Sequence, residues 1–387
     1  MTTPSPESDQ SALNDDARSD TRRRSRHQFR REPRRELRYH LSIAIAKSIS
    51  WSLWLTPRAL RHWLTDRLAA TFFRSSRTYR ENVLANLRQV MPASTSNDEL
   101  YTAARTVFRT SAHNFLDLIL IPRLSKRQFT ARVTHLEGGW HFLDEVLTEG
   151  RGAVIVSAHL GAFDFIGQTL AAQGYPLTTV TGRTVSRFVF DGVTYLRGAR
   201  GNKLVEPTPS GVRRVVHALR QGECAAFVTD RDFFQNGHPV VFFDRLTTLP
   251  PGAVRIARNT GSPIVPIFTR RLSNGYAMTI NPAIRIERTD DIATDLDRGM
   301  ALMVSVLQDA IAACPEQWVM FQRVWREEAV DPVRVFPVGS PLESELLERF
   351  AAALPARRGG SHAPPAEGAD PEARPTNRKA RRRRPKR

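Results

Sequence analysis

From Val133 onward the chain alternates short apolar runs, bounded by Gly and Pro, with stretches of helical spacing, and this rhythm constrains the fold most. Strands alternating with helices imply an α/β architecture, a mainly parallel central sheet flanked by helices. The spacing predicts buried strands at 152–157 (GAVIVS), 177–181 and 223–228, with helices near 161–172 and over 210–220 between them. Apolar runs at 239–243 and 264–268 flank a helix that opens at Pro250 and Pro251, because proline's fixed φ suits a first helical turn. A strand at 276–281, a long helix at 296–313 and a last helix at 316–326, carrying Trp318, Phe321 and Trp325, complete the pattern.

The preceding segment, 41–124, reads as helical. Val83, Leu84, Leu87 and Met91 recur at helical spacing, and a second such stretch over 97–120 is closed by Pro122. At its start, residues 41–55 (LSIAIAKSISWSLWL) are apolar except for Lys47 in the middle. A spanning helix needs roughly 20 apolar residues, so this one is short. Arg34, Arg35 and Arg38 precede it, and Trp51 and Trp54 stand near its far end. That combination describes an element anchored in a membrane interface, tilted or shallow, with a buried first helix as the alternative. The first twenty residues are polar and carry five acids, unlike a secretory signal.

The formal net charge is +18, and two stretches supply nearly all of it. One holds nine Arg against two Glu between Arg22 and Arg38; the other holds nine Lys or Arg and no acid from Arg374 to Arg387. The middle is close to neutral. The expected organisation is therefore a basic, structureless segment at 1–38, a domain over 39–331 with its membrane-binding helix at 39–60, and a structureless Pro/Arg-rich tail at 332–387. Basic ends suit an anionic membrane surface. A nucleic-acid binder would place its charge along a folded groove or among aromatics, so nucleic acid is not the expected main partner. Cys224 and Cys314 have no metal-ligand spacing; Cys224, inside ECAAFV, reads as a core residue in a reducing compartment.

The chemistry concentrates in VIVSAHLGAFDF, residues 154–165. A buried strand ends in small residues, His159 emerges where catalytic groups of α/β sheets collect, and Asp164 follows five positions later. Five steps of a helix would point these two about 140° apart, so they meet only if the chain bends, and Gly161 supplies a bend. A carboxylate on Nδ1 would leave Nε2 as a base able to take the proton of an attacking alcohol. A second strand-end loop, FVTDRDFF, offers Asp230, Arg231 and Asp232, and Arg197 lies in the Gly-rich YLRGARG, where it could hold a phosphate or an oxyanion. A hydrolase using Ser157 lacks the G-x-S-x-G elbow.

SAHLGAFD, the Arg197-x-x-x-Gly201 loop, TDRD, LTTLPPGAVRIARNTGSPIVPIF and PEQWVMFQRVWR stand in an order that resembles the lipid A biosynthesis (late) acyltransferase family, which includes phosphatidylinositol mannoside acyltransferases. The likeness covers roughly residues 45 to 326, and its H-x4-D element is shared with the wider glycerolipid acyltransferases. It implies a glycerolipid acyltransferase-like fold and transfer of a fatty acyl group from acyl carrier protein or coenzyme A to a glycolipid hydroxyl. The acceptor would be a lipid A precursor or a phosphatidylinositol mannoside, met at the cytoplasmic face of the plasma (cell inner) membrane, with no metal or other cofactor. It also implies a catalytic His159–Asp164 pair, with Arg197, Asp230, Arg231 and Asp232 binding substrate or tuning the base. By the same likeness the Glu316-Gln317-Trp318 segment closes the fold. The sequence departs from many lipid A enzymes in Asp164, where those carry Glu, and in Thr229-Asp230-Arg231-Asp232. Both departures lean toward the phosphatidylinositol mannoside branch.

Overall fold

The computed structural model describes residues 36–182, 186–233 and 235–325. The expectations for structureless ends fall almost wholly outside the described residues; the helix at the N-terminal side is already present at residue 36. Five helices come first: α1 over 36–55, α2 (Arg58–Ser75), α3 (Arg77–Val90), α4 (Asn97–Leu120) and α5 (Lys126–Thr130). Helix α4 opens on a capping box, in which Ser96 accepts from the Glu99 N–H while the Glu99 carboxylate accepts from the Ser96 N–H at 2.8 Å. Two orphan donors of the first turn are satisfied this way.

Strands and helices then alternate as β1 (Val133–Glu137), α6 (His141–Thr148), β2 (Ala153–Ser157), α7 (Phe163–Gln173), β3 (Leu177–Val180), α8 (Arg187–Arg197), β4 (Lys203–Val205), α9 (Pro209–Arg220) and β5 (Cys224–Val228). There follow a hairpin of β6 (His238–Phe242) and β7 (Arg245–Leu249), then α10 (Gly252–Thr260), β8 (Ile264–Arg271), β9 (Tyr276–Ile280) and α11 (Ile292–Ala313). Seven strands form one sheet in the order β1-β9-β8-β2-β5-β3-β4. β8, β2, β5, β3 and β4 run parallel, β9 turns back antiparallel to β8, and β1 runs with β9. This is the expected mainly parallel α/β fold. Every residue of β2 is buried, because helices cover both faces at the sheet centre.

That polarity decides where side chains can act. The C-terminal ends of β2, β5 and β8 share a rim with the starts of β9 and β1, so residues from all five can gather there.

Three elements escape the periodicity. β1 is exposed along most of its length, β4 has three residues, and β7 (RLTTL) is largely polar. The predicted last helix is also absent. Residues Pro315–Gln317 make one 3-10 turn, and Trp318 is extended, with φ −78° and ψ 101°. Aromatic residues three and four apart imitate a helix face, but the backbone there bonds elsewhere. The Asn86 side chain donates to the carbonyls of Met320 (3.1 Å) and Gln322 (2.7 Å) and accepts from the Val324 N–H (3.2 Å). Phe242, Trp318 and Trp325 pack together, with Phe242 and Trp325 stacked at 5.7 Å. This strap crosses the rim.

Candidate active site

β2 and β5 are adjacent, parallel and in register, with Ser157 opposite Val228. The Thr229 N–H donates to the Ser157 carbonyl at 2.9 Å, carrying the ladder one step further. Two residues beyond each strand end, the same register sets His159 opposite Asp230. Their side chains meet: His159 Nδ1 lies 2.7 Å from Asp230 Oδ1. The second carboxylate oxygen accepts from the His159 backbone N–H and from Trp318 Nε1, both at 2.8 Å.

Asp230 is fully buried, whereas the His159 side chain keeps 23% of its surface. Burial works to raise the pKa of Asp230, but the adjacent His159 charge and the hydrogen bonds from the ring, Trp318 and the His159 N–H hold it below the usual carboxylate range. These contacts favour the Asp230 anion, which fixes one face of the imidazole. The Phe163 ring stands edge-on to it at 4.9 Å.

The turn carrying His159 is held from the far side as well. Val319 N–H donates to the His159 carbonyl (2.8 Å), Gly161 N–H donates to the Gln317 carbonyl (3.0 Å), and Leu160 bridges to Trp318. Asn114 of α4 donates to the Gly161 carbonyl at 2.6 Å. Gly161 has φ +53°, and a Cβ there would lie 2.2 Å from the Thr269 carbonyl oxygen. No other residue fits so close to β8 in that conformation.

The expected pairing of His159 with Asp164 does not occur. Asp164 sits in the first turn of α7 and binds Arg197 in a fork, accepting from Nε at 2.7 Å and from Nη2 at 3.1 Å. Gly161 does bend the chain, but the bend seats the turn on β8 and sends Asp164 toward α8. Nor is Arg197 in a loop: it is the last residue of α8. Its Nη1 donates to Thr181 Oγ1 at 3.1 Å, and its carbonyl accepts from Gln168 of α7. The ion pair therefore ties α7, α8 and the end of β3 together.

Of the TDRD loop, only Asp230 reaches His159. Arg231 donates to Gln322 Oε1 at 2.8 Å and lies over the Phe233 ring. Asp232 accepts from the Gly237 N–H (2.9 Å) and Thr248 Oγ1 (2.6 Å), which braces the hairpin. Ser157 is buried, its hydroxyl turned to the Ala158 carbonyl at 3.4 Å. Burial pushes both cysteine thiols up to about 12, as for the expected core residue Cys224. The sequence reading gave no chemical role to Asn114, Gln317 or Trp318. A tryptophan directly after a turn carries no catalytic signature; only its contact with Asp230 reveals its use.

A profile of the bacterial lipid A biosynthesis acyltransferases matches residues 28–327. A phosphatidylinositol mannoside acyltransferase of Mycobacterium tuberculosis is 24% identical over 251 residues, 63% of this chain and 77% of the relative. A lipid A biosynthesis acyltransferase of Haemophilus influenzae is 23% identical over 300 residues, 74% of this chain and 91% of the relative. A phosphatidylinositol mannoside acyltransferase of Mycolicibacterium smegmatis is 26% identical over 216 residues, 55% and 67% respectively.

Proposed function

The chain belongs to the bacterial lipid A biosynthesis acyltransferase family, and from this premise we propose that it moves a fatty acyl group from an acyl-carrier-protein or coenzyme A thioester to a glycolipid hydroxyl, with His159 as general base. The contact between His159 Nδ1 and buried Asp230 carries this reading. A carboxylate there accepts a hydrogen bond from Nδ1–H, which leaves the lone pair on Nε2, the ring nitrogen that does not face Asp230. Nε2 takes the hydroxyl proton as the oxygen attacks the thioester carbonyl. The tetrahedral oxyanion collapses, the C–S bond breaks, and the thiolate recovers the proton from the imidazolium. Thiolate is a good leaving group, so no covalent enzyme intermediate is required.

Asp230 stabilises the imidazolium formed midway and fixes the ring's tautomer. Arg197 already directs three donors at Asp164 and Thr181, which favours backbone N–H groups at the start of α7 as the oxyanion's partners. A lipid A precursor and a phosphatidylinositol mannoside both fit this chemistry, and the Asp164 and TDRD choices lean toward the latter.

An acyl chain has to be taken from or returned to a bilayer, and the helical N-terminal part suits a membrane surface. Leu41, Ile45, Ile49, Trp51 and Leu55 of α1 and Leu60, Trp63, Leu64, Leu68 and Phe72 of α2 are all exposed. Among the described residues no helix is long and apolar enough to cross a membrane, so α1 and α2 would lie in the interface. The basic stretches at 22–38 and 374–387 would draw the protein to anionic lipid, with about 1 kcal/mol per charge near the surface. We assign it to the cytoplasmic face of the plasma membrane.

Mass spectrometry of lipids from a deletion strain tests the reading. Loss of one acyl chain from one glycolipid class, restored by the wild-type gene and not by His159→Ala, is expected. An unchanged lipid profile, or full restoration by His159→Ala, would contradict it.

A further inference from the structure

On the β1–β9–β8 side of the same rim, away from the Arg197–Asp164 pair, arginines gather around one carboxylate. Asp117 of α4 is buried and accepts from Arg271 Nη2 and Tyr276 OH, each at 2.6 Å, and from Arg132 Nη1 at 3.4 Å. Arg61 of α2 stands next to this group, with Arg58 beside it; burial presses the Arg61 pKa down first, the charges of Arg132 and Arg58 press it further, and Asp117 works against them. The nearest other acid on α2, Asp66, is engaged by Arg109 (2.7 Å) and His113 (2.7 Å). The charges around Asp117 therefore do not close: Arg271 and Arg132 both bind one carboxylate, and the charge of Arg61 adds to theirs.

Several of their donors are also unspent. Arg61 Nη1 donates to the Leu53 carbonyl of α1 at 3.2 Å, yet the buried Nε atoms of Arg61 and Arg271 find no acceptor among the described residues. A partly buried excess of positive charge with unsatisfied N–H groups costs free energy unless an anion joins it. The same cluster touches the catalytic turn. Arg271 Nη2 donates to Asn114 Oδ1 at 2.7 Å, and Asn114 holds the Gly161 carbonyl at 2.6 Å. On its other side the cluster reaches α1, whose apolar residues are exposed. It thus lies between the His159 turn and the helices assigned to the bilayer.

The geometry points to a phosphate-ester site formed by Arg61, Arg132 and Arg271, with Arg58 at its edge, that holds the anionic group of a substrate while the hydroxyl or thioester reaches His159. Planar guanidinium groups match phosphate oxygens with paired donors, and a phosphate ester is the anion both possible substrates carry. It is either the phosphodiester of an acceptor lipid or the phosphate of the pantetheine-bearing donor. This inference rests on the acyltransferase reading for the identity of the substrates, while binding itself can be measured without turnover.

The experiment uses full-length protein carrying His159→Ala, so that binding is read without reaction. It is titrated with coenzyme A and, separately, with phosphatidylcholine vesicles that do or do not contain phosphatidylinositol. Each titration is repeated with Arg132→Gln, with Arg61→Met and with the exposed Arg58→Gln added. Losing a charge-assisted pair should weaken binding of one probe about tenfold or more for Arg132→Gln and Arg61→Met, and less for Arg58→Gln. Weakening confined to phosphatidylinositol vesicles assigns the site to the lipid headgroup, and weakening confined to coenzyme A assigns it to the donor. In the otherwise wild-type enzyme the same substitutions should raise KM for that substrate more than they lower kcat. Unchanged binding of both probes in folded variants overturns the site. Because Arg58 is exposed, Arg58→Gln keeps the test open if the more buried variants fail to fold. Activity retained by His159→Ala alone would instead refute the base, and leave these binding results standing.

Discussion

The two ends of HLGAFD belong to different parts of the machine. At one end His159 is fixed on every side: its N–H and Nδ1 face Asp230, and its carbonyl accepts from Val319. Only the Nε2 edge is left for chemistry. At the other end Asp164 faces Arg197 and joins α7 to α8. Five residues apart in sequence, the two acquire their partners from 71 and 33 residues away. The comparison teaches that strand register, rather than nearness along the chain, assembles the dyad. In the proposed mechanism one pair fixes a proton's position; the other holds a helix and a guanidinium.

The sharpest way to break this comparison is to neutralise each acid in turn. Asp230→Asn leaves the shape but offers the ring an amide, so the tautomer is no longer fixed. Its kcat/KM is expected to fall about 10²- to 10⁴-fold, the range a positioned base contributes. A loss under about fivefold, measured on protein of wild-type thermal stability, would remove Asp230 from the dyad.

Asp164→Asn should act through Arg197. Each charge-assisted bond is worth about 1.5–3 kcal/mol, so Asp164→Asn and Arg197→Ala should each cost about ten- to a hundredfold in kcat/KM, and the double variant no more than the worse single one. Asp230→Asn and Asp164→Asn, touching separate pairs, should multiply. Fully multiplicative losses for Asp164 and Arg197 would show that the two do not work as one unit.

Trp318→Phe sharpens the comparison at smaller scale. It keeps an aromatic in the strap and deletes one donor to Asp230, with an expected loss of about 1.5–3 kcal/mol in stability. Retention of full stability would mean that water replaces the indole N–H. A pH series carries the sign of the same pair. Because the folded pKa of Asp230 lies below its unfolded value, its stabilisation is present above about pH 4 and is lost as pH falls toward the folded pKa. The stability gap between wild type and Asp230→Asn should therefore narrow below about pH 4. A gap that widens there, in denaturant melts, would reverse the assignment.

Much of the scaffold was legible because burial on both faces leaves unbroken apolar runs. AVIVS, CAAFV and IVPIF announced β2, β5 and the core of β8, and Pro250–Pro251 announced α10. The exposed strand β1 and the largely polar β7 gave no such signal. Neither did the strap after Ala313, where aromatic spacing suggested a helix but Asn86 and the His159 turn claim the backbone. His159, Asp230 and Arg197 were visible as candidates, but the pairing was not, since it depends on which strands are neighbours. One clue was present. His159 and Asp230 each stand two residues beyond an apolar strand run, so adjacency of β2 and β5 would have set them opposite.

The most direct test of the central claim is the nitrogen chemical shifts of the His159 ring, recorded by ¹⁵N NMR in wild type, Asp230→Asn and Asp164→Asn at a pH where the ring is neutral. The account predicts a proton on Nδ1 and a bare Nε2 in wild type and in Asp164→Asn, with that preference lost in Asp230→Asn. A ring that keeps its Nδ1 proton in Asp230→Asn and loses it in Asp164→Asn would contradict it.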